Sequence, residues 1–242
     1  MDEMQKRGWE QVDVVLVTGD AYVDHPSFAA AMIGRVLEAE GYRVGIIAMP
    51  DWRDHESINV LGKPRLFFGI TSGNVDSMVM RYTAFKKVRN DDPYVPGGRA
   101  GHRPERAVIQ YCNLVKQVYK DVPIVIGGIE ASMRRMVHYD FWSNKLRRSI
   151  LEDSRADVLV HGMGEIPVTE VARRLSAGEA LDGIPGTVTA TRNLPDDVFM
   201  LPAEEECMSS HDSLLAFYRE FYRKQHARVL AQPAGGRWLL HV

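Results

Sequence analysis

Asp121-Val-Pro-Ile-Val-Ile-Gly-Gly128 and Ala156-Asp-Val-Leu-Val-His-Gly-Met-Gly-Glu165 decide the fold class. Each is a short aliphatic run that stops at glycine. Such runs read as strands buried on both faces, and glycine at the exit lets backbone N–H groups come close to a neighbour. In open α/β sheets these exits are where ligands bind. The pattern also occurs upstream. Val12-Asp-Val-Val-Leu-Val-Thr18 stops at Gly19-Asp20, Arg43-Val-Gly-Ile-Ile-Ala48 follows a helical segment, and Arg65-Leu-Phe-Phe-Gly-Ile-Thr71 stops at Ser72-Gly73-Asn74. Strand, helix, strand order requires a right-handed crossover and hence parallel pairs. The chain therefore reads as an α/β protein with a doubly wound, mostly parallel sheet of about five strands over residues 1–180, followed by a helical and irregular extension over 181–242.

Helical spacing fills the intervals. Phe28, Met32, Ile33, Val36 and Leu37 mark a helix from Pro26 or Ser27 to Glu40, with Gly41 as its C-terminal cap. A helix is expected from Val75 to about Lys87, another from Pro104 to Tyr119 and another from Gly164 to Ala177, ended by Gly178. Residues 89–103 carry too much Pro and Gly for a regular element, and a loop this long in a compact domain is often functional. Thr187 to Thr191 is expected to be an edge strand, Asn193 to Pro202 a surface connection, and Ser210 to His226 a helix with Leu214, Phe217, Tyr218 and Phe221 on one side.

The bulk numbers restrict function. With 242 residues, 45% hydrophobic and 26% charged, the chain has an ordinary globular composition, and its net charge of -2 gives no global field for nucleic acid. Two cysteines, Cys112 and Cys207, exclude a disulfide framework and any all-cysteine metal or iron–sulfur site built by this chain alone. No stretch approaches the ~20 apolar residues of a membrane span, and the N-terminus lacks an apolar signal core. A cytoplasmic setting is expected, with no membrane partner.

The strand exits collect Thr18, Gly19, Asp20, Tyr22, Thr71, Ser72, Gly73, Asn74, Gly127, Gly128, Glu130, Gly162, Gly164 and Glu165 as candidate crevice, ligand or domain contacts. These glycines, hydroxyls and carboxylates suit a phosphate, ribose or amide edge, and a helix starting after Gly164 adds its dipole. Tight strand-to-helix turns are the alternative reading. Neither the Gly-x-Gly-x-x-Gly dinucleotide fingerprint nor a phosphate loop occurs. Asp24-His25-Pro26 reads as helix capping, and no histidine pair has zinc-ligand spacing with a third donor, so no catalytic or metal residue is assigned. Arg134 to Arg148 interleaves bases with aromatics. Phe141, Trp142, Leu146 and Ile150 have helix-like spacing there, which makes Arg134, Arg135, Trp142, Arg147 and Arg148 candidates for a domain-facing side more than for nucleic acid.

Residues 12–28, Pro50-Asp-Trp-Arg-Asp54, Arg65 to Met78, Pro96 to Gly101, Gly127 to Arg135, His138 to Ser143, Arg148 to Leu151 and Gly162 to Glu165 resemble, in one register, the YgiQ family of radical SAM proteins. The resemblance implies an N-terminal domain of the Rossmann-like, cobalamin-binding type. In that family a following core binds a [4Fe-4S] cluster through Cys-x-x-x-Cys-x-x-Cys and cleaves SAM. This chain lacks that motif, and it lacks the Asp-x-His-x-x-Gly motif whose histidine ligates cobalt. Gly235 to Val242 resembles the segment before the core. The expectation is thus an accessory domain in truncated form, binding no cofactor itself, inactive alone, and partnered by a radical SAM core in cis or in trans. Two alternatives stay open: a free-standing cobalamin- or nucleotide-type binding module, and a small hydrolase or transferase using Asp20, Asp24, His25 and Glu165. Oligomeric state and substrate are not legible.

Overall fold

The computed structural model describes residues 2–224 and 229–242. In chain order its elements are α1 (Asp2–Lys6), β1 (Val14–Thr18), α2 (Ala29–Ala39), β2 (Val44–Ala48), β3 (Phe67–Thr71), α3 (Ser77–Arg81), α4 (Ala107–Val118), β4 (Ile124–Ile126), α5 (Gly128–Met133), β5 (His138–Asp140), β6 (Lys145–Arg147), α6 (Ile150–Ser154), β7 (Val158–Val160), α7 (Glu165–Ala177), β8 (Thr187–Thr191), β9 (Phe199–Met200), α8 (Glu204–Cys207), α9 (His211–Lys224), β10 (Leu230–Ala234) and β11 (Arg237–His241). The last helix was expected to reach His226; residues 225 and 226 lie outside the described residues.

Nine strands form one sheet in the order β2-β1-β3-β4-β7-β8-β11-β10-β9. The first five are parallel, as the crossovers demand. Their side chains alternate between two cores. Val15, Val17, Phe68, Ile70, Ile124 and Ile126 pack with α4 and α6 on one face. Val14, Leu16, Phe67, Val125, Val158 and Val160 pack with α2 and α7 on the other. Two buried faces explain why the strands read as unbroken aliphatic runs.

The sheet is larger than the five strands read from the sequence. Thr187–Thr191 is not an edge: β8 runs antiparallel between β7 and β11. The strands that cover it come from the extension. Gly235 and Gly236, with φ of +53° and +77°, close the two-residue turn between β10 and β11, a conformation that costs other residues strain. β9, at residues 199–200, forms the far edge, and α9 packs Leu214, Phe217 and Phe221 into a third core cluster.

Two helical expectations are corrected. Residues 138–147 form the hairpin β5–β6, because Asn144 adopts a left-handed turn conformation and the Asp140 carboxylate accepts from the Ser143 N–H, closing the turn against helix formation. The helix expected to reach Lys87 stops at Arg81. Arg89 Nε donates to the carbonyls of Val79 and Tyr82, so acceptors that a longer helix would use are taken. In α2 the buried side is Ala30, Ala31, Gly34 and Leu37; the larger Met32 and Ile33 lie at its margin and line a crevice. None of the described helices is long and apolar enough to cross a membrane.

Asp13 ties the start of β1 to its neighbours. Its carboxylate accepts from the Arg43 backbone N–H at 2.8 Å and from Arg43 Nη2 at 3.1 Å, and it pairs with Arg65 Nε at 2.6 Å. Burial opposes its charge, yet the Arg43 and Arg65 contacts outweigh burial and hold the carboxyl down at about 2, against an ordinary 3.8. A depressed carboxyl stabilises the fold above its unfolded pKa, and that contribution is lost as pH falls through the folded value. Since both arginines stay partly exposed, screening reduces the expected contribution to about 1 kcal/mol. Urea denaturation of the wild type and Asp13→Asn should show that difference near pH 6, shrinking as pH falls through 3.8 and gone only below about 2.

Candidate functional site

In a sheet ordered 2-1-3-4 the topological switch point lies between the first and third strands, and ligands collect at its carboxyl edge. Here that point is closed from within. Arg103, carried by the long connection between β3 and α4, lies fully buried between two acids. Its Nη2 is 2.6 Å from Asp20 Oδ1, off the line of a hydrogen bond, and its Nε donates to Asp92 Oδ2 at 3.1 Å. Its Nη1 donates to the Ser72 carbonyl. The second Asp20 oxygen accepts from the Asn74 N–H at 2.6 Å.

Burial raises the Asp20 carboxyl above its ordinary value despite Arg103 and the Asn74 N–H. Burial also opposes the Arg103 charge, but the Asp92 hydrogen bond and the Asp20 charge more than offset it and raise its pKa. Glycine is required in this packing. A side chain on Gly19 would start 2.3 Å from the Ser72 carbonyl, and one on Gly73, at φ +104°, 2.2 Å from Asp20 Oδ1.

The expected strand-exit residues thus divide. Asp20, Ser72 and the Asn74 N–H serve the Arg103 cluster, and Thr18 Oγ1 accepts from the Asp20 N–H at 3.3 Å. Glu130 is fully buried, and its two oxygens accept the N–H groups of Ser77 and Val108 at 2.9 and 3.2 Å, the first turns of α3 and α4. This explains why α4 begins at Ala107 and not at Pro104: its first N–H groups are capped by Ser77 Oγ and Glu130. Burial first, and then Asp76, raise the Glu130 carboxyl. Tyr22 is exposed.

Thr71, Gly73, Asn74, Gly127, Gly128, Gly162, Gly164 and Glu165 do come together, around a crevice of about 350 Å³ between α2, α7 and the sheet. Its walls are apolar, among them Leu16, Ile33, Phe67, Val125 and Met163. Gly128, at φ +80°, lets α5 approach: an added Cβ would lie 2.5 Å from Thr71 Oγ1. The crevice is therefore a greasy slot rimmed by backbone, not the polar site that the residue types suggested.

Asp20, Asp24, His25 and Glu165 do not form a constellation. Asp20 is held by Arg103, while Asp24 is exposed and pairs with Arg35 at 2.7 Å. His25 Nδ1 accepts from the Ser27 N–H at 3.1 Å, and Glu165 lines the crevice. The arginine-rich stretch is also largely engaged. Arg134 pairs with Asp76, and Arg147 and Arg148 pair with Asp153. Trp142 packs 5.4 Å from Tyr82 and 5.2 Å from Phe141, ring centre to ring centre. Arg135 alone of these arginines has no ion pair among the described residues.

Sequence reasoning missed Arg103 and Asp92. They sat in a loop of mixed charge whose only signal was its length.

The residues do not fit an iron–sulfur cluster. Cys112 and Cys207 are both buried and sit on different helices, and burial pushes the Cys207 thiol up to about 11 and the Cys112 thiol up further. Among the described residues, no group of three or more His, Cys, Asp or Glu could hold a metal ion. Removing Arg103 leaves two buried carboxylates facing each other without a cation. Arg103→Met should therefore lose about 3–5 kcal/mol in urea denaturation, and Arg103→Met/Asp20→Asn should recover part of that loss.

The family described as Radical SAM N-terminal matches residues 1–242. A UPF0313 protein of Bradyrhizobium diazoefficiens is 56% identical over 206 residues, covering 84% of this chain and 30% of the relative. One from Thermotoga neapolitana is 49% identical over 246 residues, covering 96% of this chain and 43% of the relative. The chain thus spans less than half the length of these curated relatives. A solved structure of TsrM from Kitasatospora setae, a radical S-adenosylmethionine methyltransferase with cobalamin and a [4Fe-4S] cluster bound, aligns with TM-score 0.49 at 22% identity over 74% of this chain and 27% of that one. With the Radical SAM N-terminal region matched from end to end and UPF0313 proteins about half identical over nearly the whole chain, it belongs to the UPF0313, or YgiQ, family of radical SAM proteins.

Proposed function

We propose that this region is an accessory domain that docks a radical SAM core on the carboxyl edge of its parallel strands. The observation that carries the reading is the apolar character of that edge. Val23 follows β1, Ile129 and Met133 follow β4, and Met163 and Ile166 follow β7, all exposed. Met163 is 79% and Ile166 81% exposed. Ile129 and Met163 line the crevice, and Ile166 follows its lining residue Glu165; large apolar side chains displayed at the mouth of a crevice are the signature of a surface that another body covers. Isolated ones would need no explanation.

Topology supports the same edge. β11 runs in the direction of β7, because both pair antiparallel with β8. Residue 242 therefore sits beside Thr187 at the carboxyl edge, its N–H donating to the Thr187 carbonyl at 3.1 Å. In a longer relative, a segment continuing from this point starts on the apolar face. The core would supply the cluster and the SAM chemistry. The present residues would supply a rigid platform held by the Arg103 cluster, and the apolar contact that excludes water from the joint.

A second reading, a cobalamin- or nucleotide-type ligand in the crevice, is favoured by its volume and apolar walls. Equilibrium dialysis with hydroxocobalamin tests it; retention at micromolar concentration would put this reading ahead of docking.

The docking reading is tested by mixing the chain with the remainder of a UPF0313 relative, produced separately and reconstituted anaerobically, in sedimentation velocity. A one-to-one complex is expected. Met163→Asp/Ile166→Asp should abolish it while leaving the thermal melt unchanged, because both side chains are mostly exposed. Absence of a complex, or a complex indifferent to these substitutions, contradicts the reading. The chain alone, given iron, sulfide, reductant and SAM, should form no 5′-deoxyadenosine.

A further inference from the structure

Where β7 and β11 end close together, three groups that carry or accept positive charge meet without an acid. Arg135 lies just beyond α5, half-buried. Its Nη1 donates to the Ser132 carbonyl at 2.7 Å, and its Cζ lies 5.3 Å from the centre of the Phe221 ring. It has no ion pair among the described residues. His161, at the exit of β7, and His241, in β11, have ring centres 6.4 Å apart. His241 is only 5% exposed, and its Nε2 has no hydrogen-bond partner.

Burial, and then the Arg135 charge, hold the His161 imidazole down at about 4. Burial, then His161 and Arg135, push His241 well below its ordinary value. Ser132 joins the group: its Oγ accepts from the Gly162 N–H at 3.2 Å, leaving the hydroxyl proton free to donate. Gly162 also lines the crevice, so the cluster adjoins the crevice rim.

A guanidinium taken partly out of water without a counter-ion is unfavourable, and such a charge is ordinarily paired. Its fork matches oxyanions in a bidentate manner. A phosphate has oxygens enough to meet the fork, the Ser132 hydroxyl and an imidazole N–H together, whereas a carboxylate has only two. Arg135 and His161 both keep a solvent-facing side, which gives the anion a way in, and His241 closes the back.

We propose that Arg135, Ser132 and His161, backed by His241, form a binding site for a phosphate group at the Gly162 end of the crevice. The proposal stands on this chain's own residues and does not depend on docking of a core.

The test is a titration of the 242-residue chain with inorganic phosphate at constant ionic strength, followed through the imidazole NMR resonances of His161 and His241. Both should move with saturation, chloride should not reproduce the effect, and Arg135→Gln should weaken binding at least about tenfold. Arg135→Lys, which keeps the charge but lacks the fork, should bind between the wild type and Arg135→Gln. Thermal melts verify that each variant folds; Ser132→Ala, which removes one donor, gives an independent reading if Arg135→Gln does not fold, and should weaken binding several-fold. Adenosine 5′-monophosphate is the second probe: tighter binding than phosphate assigns the group to a nucleotide, and equal binding assigns it to free phosphate. Movement without saturation, or binding unchanged in every folded variant, overturns the proposal.

Discussion

Arg103 is the constraint on which the functional edge depends. The doubly wound order leaves a gap between β1 and β3 at the carboxyl edge, where the connections diverge to opposite sides. Arg103 fills it, bound to Asp20 behind β1, to Asp92 in its own loop and to the Ser72 carbonyl behind β3. One side chain thereby fastens the long connection after β3 to both strands. A buried cation between two acids is poor as a source of net stability but strict about geometry, because each partner is stranded if another is removed. The polar groups at the switch point are consumed in this way, and what faces outward is the apolar crevice on the α2 and α7 side together with its exposed rim.

Much of the architecture was legible because burial on both faces leaves an unambiguous trace. Val14 to Thr18, Phe67 to Thr71, Ile124 to Ile126 and Val158 to Val160 alternate between two cores, so every residue is aliphatic, aromatic or small and the runs stand out. Gly178 was legible as a helix end for a related reason: its φ of +69° suits a residue without a Cβ. The antiparallel half was not. β8 is threonine-rich because Thr189 and Thr191 bind the Asp182 carboxylate, and that polarity reads as an edge until the β10–β11 hairpin is known to cover it. Gly235-Gly236 was a usable hairpin signal that the resemblance to a linker overrode.

The candidate site was legible as a place and not as a chemistry. Glycine-ended strands located the crevice, but whether a nearby carboxylate meets a ligand or an internal partner depends on residues distant in sequence. Glu130 caps α3 and α4, whose first N–H groups come from residues 77 and 108. Arg134 pairs with Asp76, distant in sequence at the start of α3, and Arg147 and Arg148 pair with Asp153 across a turn that the helical reading of residues 141–150 did not contain. Met163, in a loop, and Ile166, in the first turn of α7, are single exposed apolar residues, and only their shared place after β7 makes them a surface.

The central claim is that this edge is the joint between an N-terminal platform and a radical SAM core. Hydrogen–deuterium exchange measures it most directly, comparing this chain with a full-length UPF0313 relative. Amides equivalent to residues 127–133 and 161–166 should exchange more slowly in the longer protein, while those of the β9 edge should be unchanged. Equal exchange of residues 127–133 and 161–166 in the two proteins would contradict the account.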